Sequence, residues 1–101
     1  MISTVDIPLT VRMLYAIPSV SLSELRENFV VIAFSEQMLD FFESDIDITG
    51  GRITEFIGNR KEFCISIAPE SATVEIYVPA GVAHNMYNQP NTESNRLTLG
   101  G

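Results

Sequence analysis

Residues Phe63–Val78 read FCISIAPESATVEIYV and carry the clearest structural signal in the chain. In each half, apolar residues alternate with small or polar ones, which is the period of a β-strand with one buried face. Pro69 and Ser71 separate the halves and are residue types that favour turns. The stretch therefore predicts two short strands joined by a turn. The residues predicted to face the core are Phe63, Ile65, Ile67, Val74, Ile76 and Val78.

Further runs with strand character lie on both sides of this stretch. Asp45–Thr49 alternates in the same way, and Phe29–Phe34 is apolar on both faces. The remaining candidates are Leu9–Leu14, Arg52–Ile57 and Asn95–Leu99. About seven short strands at a spacing of roughly 8–12 residues are typical of an all-β sandwich or barrel. These runs add Val30, Ile32, Phe34, Ile46 and Ile48 to the predicted core.

Two local predictions concern the connections. Ile53–Ile67 is predicted to form a hairpin across Gly58–Lys61, where turn residues cluster. Ser21 is followed three residues later by Glu24, which is the pattern of a helix capping box. Because Ser21–Glu27 lies between two strand candidates, we expect a loop or a short turn there.

Length, charge and cysteine content exclude several classes of protein. The 101 residues correspond to one domain, and the formal net charge is −7, from 13 acidic and 6 basic residues. Nucleic acids and anionic membranes attract clustered Lys and Arg, so both are disfavoured as partners. The longest apolar run is too short to insert into a bilayer, and Met1–Pro8 has no signal-peptide pattern. Because Cys64 is the only cysteine, an internal disulfide and a zinc site of several thiolates are excluded.

Several short motifs occur in a fixed order along the chain. They are F-S-E at Phe34–Glu36, D-I-D-I-T-G-G at Asp45–Gly51, the alternating Phe63–Pro69, V-E-I-Y-V-P-A-G at Val74–Gly81 and N-T-E-S at Asn91–Ser94. In this order and spacing they resemble the bacterial immunoglobulin-like (Big-type) repeats of very large cell-surface proteins. The likeness covers nearly the whole chain and is firmest over Phe29–Ser94.

The resemblance implies a single immunoglobulin-like β-sandwich over residues 1–101, with about seven antiparallel strands in a Greek-key arrangement. Residues 1–8 correspond to the linker between successive modules. The implied function is a non-catalytic module of a surface or secreted protein, extracellular or at the cell surface, acting as a structural spacer or an adhesion unit. It implies no cofactor, and its partners would be neighbouring modules or a protein or glycan ligand.

One loop departs from the family pattern. After P-A-G the family continues T-D-x-x-G-N, whereas this chain has HNMYNQ at His84–Gln89. Asn85 replaces the family's acidic residue, and Asn88 replaces its turn glycine. Asn88 can still adopt a left-handed turn conformation. The lost carboxylate argues against a cation in this loop.

A second interpretation is an accessory ligand-binding domain of a secreted enzyme, such as a carbohydrate-binding module. Sugars stack on aromatic rings, and the candidates here are Tyr77, Tyr87 and Phe42. The chain has no Trp and only three Tyr, so few aromatic rings are present on which a sugar could stack. We therefore rank this interpretation second.

The sequence gives little support for a catalytic site. His84 and Cys64 are the only histidine and cysteine, and they fall in different predicted strands or loops. A catalytic Cys–His pair needs its side chains within hydrogen-bonding reach. We therefore predict no catalytic residue and no enzyme activity.

A metal site is the other chemical candidate, because five carboxylates occur within twelve positions. Calcium binds six to eight oxygens, often from alternate residues of one loop, but the spacing here is not that of a known calcium loop. The alternative is a solvated acidic edge in which Asp45 accepts backbone hydrogen bonds. We expect folding without metal, although the sequence leaves calcium at Glu36, Asp45 and Asp47 open. The five carboxylates are Glu36, Asp40, Glu43, Asp45 and Asp47.

The apolar run Phe29–Phe34 predicts an interaction surface. Val30, Ile32 and Phe34 face the core, so Phe29, Val31 and Ala33 face outward. If this run and Phe63–Ala68 are the adjacent strands B and E of an immunoglobulin-like sheet, Cys64 and Ala68 lie beside them. Exposed apolar patches commonly mark contacts. The expected cover is a neighbouring module, a second copy in a homodimer, a chain terminus or Ser21–Glu27. The predicted interface residues are Phe29, Val31, Ala33, Cys64 and Ala68.

Overall fold

A computed structural model describes residues 17–100 of the chain. These residues contain seven β-strands and one short 3₁₀ turn at Glu43–Asp45. Residues 17–100 include no helix that could span a membrane. The strands are β1 (Val20–Arg26), β2 (Phe29–Phe34), β3 (Asp47–Thr49), β4 (Gly51–Gly58), β5 (Glu62–Pro69), β6 (Thr73–Tyr77) and β7 (Leu97–Gly100).

The strands form two antiparallel sheets. One sheet has four strands in the order β1-β2-β5-β4, and the other has three in the order β3-β6-β7. These are the orders of the seven-stranded immunoglobulin constant-type sandwich, in which strands A, B, E and D form one sheet and C, F and G the other. The predicted immunoglobulin-like sandwich of about seven strands is thus confirmed.

The core lies between the sheets, because every second side chain of a strand faces inward. All eleven predicted core residues are in it: ten are buried, and Ile48 packs against them partly buried. Four phenylalanines, Phe34, Phe41, Phe56 and Phe63, form an aromatic cluster in it, with ring centroids 4.9–6.0 Å apart in the contacting pairs. The sequence did not predict six further buried residues, which are Val20, Leu22, Met38, Phe41, Ala83 and Leu99.

The first strand corrects the expectation of a loop or short turn at Ser21–Glu27. Val20 and Leu22 are buried while Ser21 and Ser23 are exposed, so this segment alternates as a strand and pairs antiparallel with β2. The capping-box pattern was misleading because it needs only two polar residues, which a strand's solvent face also supplies. The other N-terminal predictions, a strand at Leu9–Leu14 and a linker at residues 1–8, lie outside the described residues.

The predicted hairpin across Gly58–Lys61 is confirmed by the antiparallel pairing of β4 with β5. The register shifts between Ile53 and Glu55, so β4 contains a bulge at Thr54. A bulge inserts one residue and changes which residues face inward. Ile53 and Phe56 therefore both pack on the core, and Ile57 faces outward.

The acidic stretch before β3 also differs from the prediction. The strand begins at Asp47, and Asp45 instead ends the 3₁₀ turn. Its Oδ2 accepts the backbone N–H of Phe42 at 2.8 Å. Asp45 and Asp47 therefore do not form a pair on one strand face, and the predicted backbone hydrogen bond to Asp45 is present.

Residues 17–100 run from one end of the sandwich to the other. Val20 pairs with Phe34, and Asp47 pairs with Tyr77, at the end where β1 begins, which we call the leading end. Gly100 pairs with Thr73 at the opposite, trailing end. The turn at Gly50 also lies at the trailing end. Its φ is +84°, and a Cβ there would collide with the Thr73 carbonyl, so this turn requires glycine.

Buried polar side chains fasten the long connection between β6 and β7. Asn91 makes four hydrogen bonds: its Oδ1 accepts the N–H groups of Val82 and Ala83, and its Nδ2 donates to the carbonyls of Pro79 and Thr92. These bonds replace a regular strand ladder in this connection and satisfy buried backbone groups.

The same connection also ties the two sheets together. Ser94 Oγ accepts the Val78 N–H at 2.8 Å. The Asn95 side-chain amide accepts the Leu22 N–H at 2.8 Å and donates to the Leu22 carbonyl at 3.0 Å. Asn95 thereby links the connection before β7 to β1 of the other sheet.

Candidate interaction surface

The predicted interface residues lie on the outer face of the four-stranded sheet. Val31 on β2 pairs with Cys64 on β5, and Phe29 pairs with Ser66 in the same ladder. All five predicted residues, including Ala33 and Ala68, are partly buried. The register thus places them on one face, as the sequence analysis required, whereas their role in a contact stays a prediction.

The apolar face extends further than the sequence indicated. Ile57 on β4 pairs with Cys64 and is 62% exposed. Phe29, Ile57 and Cys64 line an open depression of about 320 Å³ together with Gly58, Asn59 and Glu62. Strict alternation from Ile53 would place Ile57 with Ile53 and Glu55 on one face, and only the bulge separates them. The sequence signal for Ile57 was the adjacent apolar pair Phe56-Ile57, which breaks the period of two.

Polar groups border this face. The Arg26 guanidinium lies 4.4 Å from the centre of the Phe29 ring, a cation–π contact. Ser66 Oγ donates to Glu55 Oε1 at 3.1 Å. β1 lies beside the face as the edge strand of the same sheet, so the expectation that Ser21–Glu27 covers the face is wrong. An apolar centre with a polar border is the usual anatomy of a protein contact surface.

The acidic residues take part in separate hydrogen bonds with different partners. Asp45 accepts a backbone N–H within its own turn, Glu36 accepts an amide proton of Asn85, and Asp40 binds His84. Among residues 17–100, no three His, Cys, Asp or Glu side chains come together in a group that would hold a metal ion. The described carboxylates are therefore dispersed rather than gathered around one cation position.

Asn85 organises the loop that departs from the family pattern. Its Oδ1 accepts the N–H groups of Tyr87 and Gln89, both at 2.9 Å, and its Nδ2 donates to Glu36 Oε1 at 3.0 Å. Asn88 closes the turn at φ 62°, which confirms the left-handed conformation predicted for it. A carboxylate in place of Asn85 would repel Glu36, whereas the amide donates to it. The amide thus satisfies Glu36 without a cation.

His84 pairs with Asp40 rather than with Cys64. Asp40 Oδ1 accepts the His84 backbone N–H, at 2.6 Å, and Asp40 Oδ2 lies 2.9 Å from His84 Nδ1. Burial alone would raise the pKa of Asp40, but these hydrogen bonds and the charge of the His84 ring outweigh it and lower the pKa below its usual value. Cys64 lies on the outer face of the sheet and His84 in the leading-end loop, so they form no nucleophile–base pair.

The three aromatic residues considered for sugar binding lie in different places. The Arg96 guanidinium lies 3.8 Å from the centre of the Tyr77 ring and covers one face of it. Phe42 lines a groove of about 540 Å³ between β3 and β4, together with Ile46, Ile48 and Ile53. Tyr87 lies in the turn after His84. These positions do not form one stacking platform.

Comparisons with protein-family models, curated proteins and solved structures found no match to this chain. The resemblance to bacterial immunoglobulin-like repeats therefore stays a prediction drawn from the motifs.

Proposed function

We propose that this chain is a non-catalytic immunoglobulin-like module of a surface or secreted protein, acting as a spacer and contact unit in a series of such modules. The observation that carries the proposal is the path of the chain. β1 begins at the leading end, and β7 ends at the trailing end. A unit with this path extends a rod when copies follow one another, whereas a unit with adjacent termini would branch from it.

The hydrogen bonds at the leading end support the same role. The Pro18 carbonyl accepts the Thr92 N–H at 2.9 Å, and Ser19 exchanges hydrogen bonds with Ser35. The chain is therefore held in place before its first strand begins. A spacer needs such fixed attachment points, because a loose junction would not transmit orientation from one unit to the next.

The proposed spacer role predicts the shape of a tandem chain. We expect three copies of the 101-residue sequence joined end to end to form a rod, whose maximum dimension grows by at least about 27 Å per copy, the length of the eight-residue β5. Small-angle X-ray scattering on one, two and three copies measures this growth. A control with flexible Gly/Ser linkers between copies should give a broader distance distribution. Compact particles for the unmodified tandem chain would contradict the proposal.

The outer face of the four-stranded sheet is the proposed contact surface of the module. Replacing Val31 and Ala33 with Thr should leave the fold intact, because both side chains face away from the core and Thr suits strands. We expect the wild-type chain to self-associate at high concentration and the double variant to do so at least several-fold more weakly. Sedimentation velocity over a concentration series measures both.

The matched control for this experiment is Thr98→Ser, on an exposed position of the other sheet, which should not change association. An isologous dimer through the outer face is the simplest closed arrangement. A wild-type chain that stays monomeric at millimolar concentration would contradict self-association and leave a neighbouring module as the proposed cover of this face.

A further inference from the structure

The two sides of the sandwich, where the edges of the sheets face each other, are built differently. On one side, the Asn95 amide just before β7 hydrogen-bonds both the N–H and the carbonyl of Leu22 on β1. On the other side, β3 and β4 are the edge strands, and the groove of about 540 Å³ lies between them. We call this groove, which is lined by Phe42, Ile46, Ile48 and Ile53, the edge groove. One side is thus fastened by side-chain hydrogen bonds, whereas the other is open.

The walls of the edge groove are apolar and continuous with the core. Ile46 is a buried core residue, and Ile48 and Ile53 are partly buried side chains packed against the core. Phe42 stands beside them and is 61% exposed. An apolar side chain placed in the groove would therefore contact this ring and the isoleucines together, which is the usual lining of a binding site.

The β4 backbone adds hydrogen-bonding groups to this apolar lining. β4 is eight residues long and has β5 as its one strand neighbour among residues 17–100. An edge strand directs every second N–H and C=O pair away from its neighbour. Within the described part of the chain, the β4 backbone makes no backbone hydrogen bond outside the β4–β5 ladder. Such an edge can accept an extended peptide as an added strand, with alternate side chains of the peptide entering a pocket.

Acidic side chains flank the edge groove on both sides. Glu43 lines it and Asp47 begins β3, while Glu55 and Glu70 lie on the β4 side. The basic residue of the lining, Arg52, already forms an ion pair with Glu70 at 3.5 Å. The charge around the groove is therefore negative, and a basic ligand complements it.

We propose that the edge groove binds an extended peptide segment of a partner protein, in which apolar residues alternate with Lys or Arg. The segment would lie beside β4 as a fifth strand of the four-stranded sheet. Its apolar side chains would turn inward onto Ile46, Ile48 and Ile53, and its basic side chains would turn outward beside Glu55. This site uses the edge of the sheet rather than its outer face, so the proposal goes beyond the role of the module in a tandem chain.

Titration of the full 101-residue chain with the synthetic peptide KVKVKVK, followed by calorimetry at low salt, tests the proposal. We expect saturable binding that Phe42→Ala weakens at least about five-fold, because the Phe42 ring loses its contact with the peptide. Leu25→Ala is the matched control, since Leu25 is 65% exposed on β1, the opposite edge of the same sheet, and it should not change binding. The peptide KKVVVKK has the same composition without alternation and should bind at least about ten-fold more weakly.

A charge reversal tests the acidic border separately. Replacing Glu43 and Glu55 together with Lys should weaken binding of KVKVKVK at least about ten-fold and allow EVEVEVE to bind. The control is the double replacement of Glu24 and Glu27 with Lys, which makes the same change in net charge at β1 and the turn after it. Circular dichroism should show that all variants remain folded.

Amide hydrogen exchange locates the bound peptide. We expect amides of β4 that point away from β5 to exchange at least about ten-fold more slowly in the complex, and amides of β1 to keep their rates. Absence of binding up to about 1 mM peptide, equal binding of KKVVVKK, or protection at β1 instead of β4 would overturn the proposal. Protection of β4 that rises with protein concentration without peptide would also overturn it and assign the groove to a second copy. These measurements use a single module, so they are independent of the tandem-chain scattering.

Discussion

Asn91→Ala is expected to lower the free energy of unfolding by about 2–6 kcal/mol, because it removes four hydrogen bonds, each worth about 0.5–1.5 kcal/mol net. The side chain is 3% exposed, so water cannot replace the lost partners. The Val82 and Ala83 N–H groups would lose the acceptor that Asn91 provides. Urea denaturation measures the change, and the melting temperature should fall by about 4–8 °C for each kcal/mol lost.

The control for this variant is Asn59→Ala. Asn59 Oδ1 also accepts two backbone N–H groups, from Lys61 and Glu62, but in an exposed hairpin where water can replace it. We expect a loss of less than about 1 kcal/mol for this control. Equal losses for the two variants would show that the Asn91 hydrogen bonds do not stabilise the β6–β7 connection.

Phe34→Ala is expected to cost about 3–5 kcal/mol of folding stability, the range for removing a buried aromatic side chain. The Phe34 ring packs edge-on against Phe41 and Phe63, with centroids 4.9 and 5.9 Å away, and it is 3% exposed. Its removal would leave a cavity that these rings cannot fill without leaving their own contacts. The total free energy of unfolding of a domain of this size is about 5–15 kcal/mol, so the variant should unfold at a much lower denaturant concentration than the wild type.

Phe42→Ala is the matched control, because its ring is 61% exposed and its hydrogen bonds to Asp45 are made by the Phe42 backbone N–H and carbonyl, which the substitution keeps. We expect a change of under about 1 kcal/mol for it. Chemical denaturation of both variants, followed by circular dichroism, separates them. A loss at Phe34 no greater than at Phe42 would contradict the central position of the aromatic cluster.

The sequence predicted most of the core because strand alternation is local. Val74, Ile76 and Val78 can be assigned to one face from their spacing alone. The bulge at Thr54 was not predictable in this way, because an inserted residue is stabilised by its partner strand rather than by its neighbours in sequence. That is why Ile57, on the outer face, was missed.

The polar features of the leading end were missed for a related reason. Asp40 and His84 are 44 residues apart, and nothing in the spacing of either residue indicates the other. Asn91 lies in a stretch without strand alternation, where an asparagine looks like an ordinary turn residue. Such side chains replace regular backbone pairing, and their partners become known only when the two loops are folded together.

The Asn95–Leu22 link has a mechanical consequence. β1 and β7 run in the same direction, with β1 beginning at the leading end of the sandwich and β7 finishing at the trailing end. Tension applied to those ends would pull β1 and β7 in opposite directions along their own axes. Strand hydrogen bonds are perpendicular to that pull, so the β1–β2 ladder and the Asn95 amide would be loaded together in shear. The domain should therefore resist stretching along its length better than peeling of β1 from its sheet.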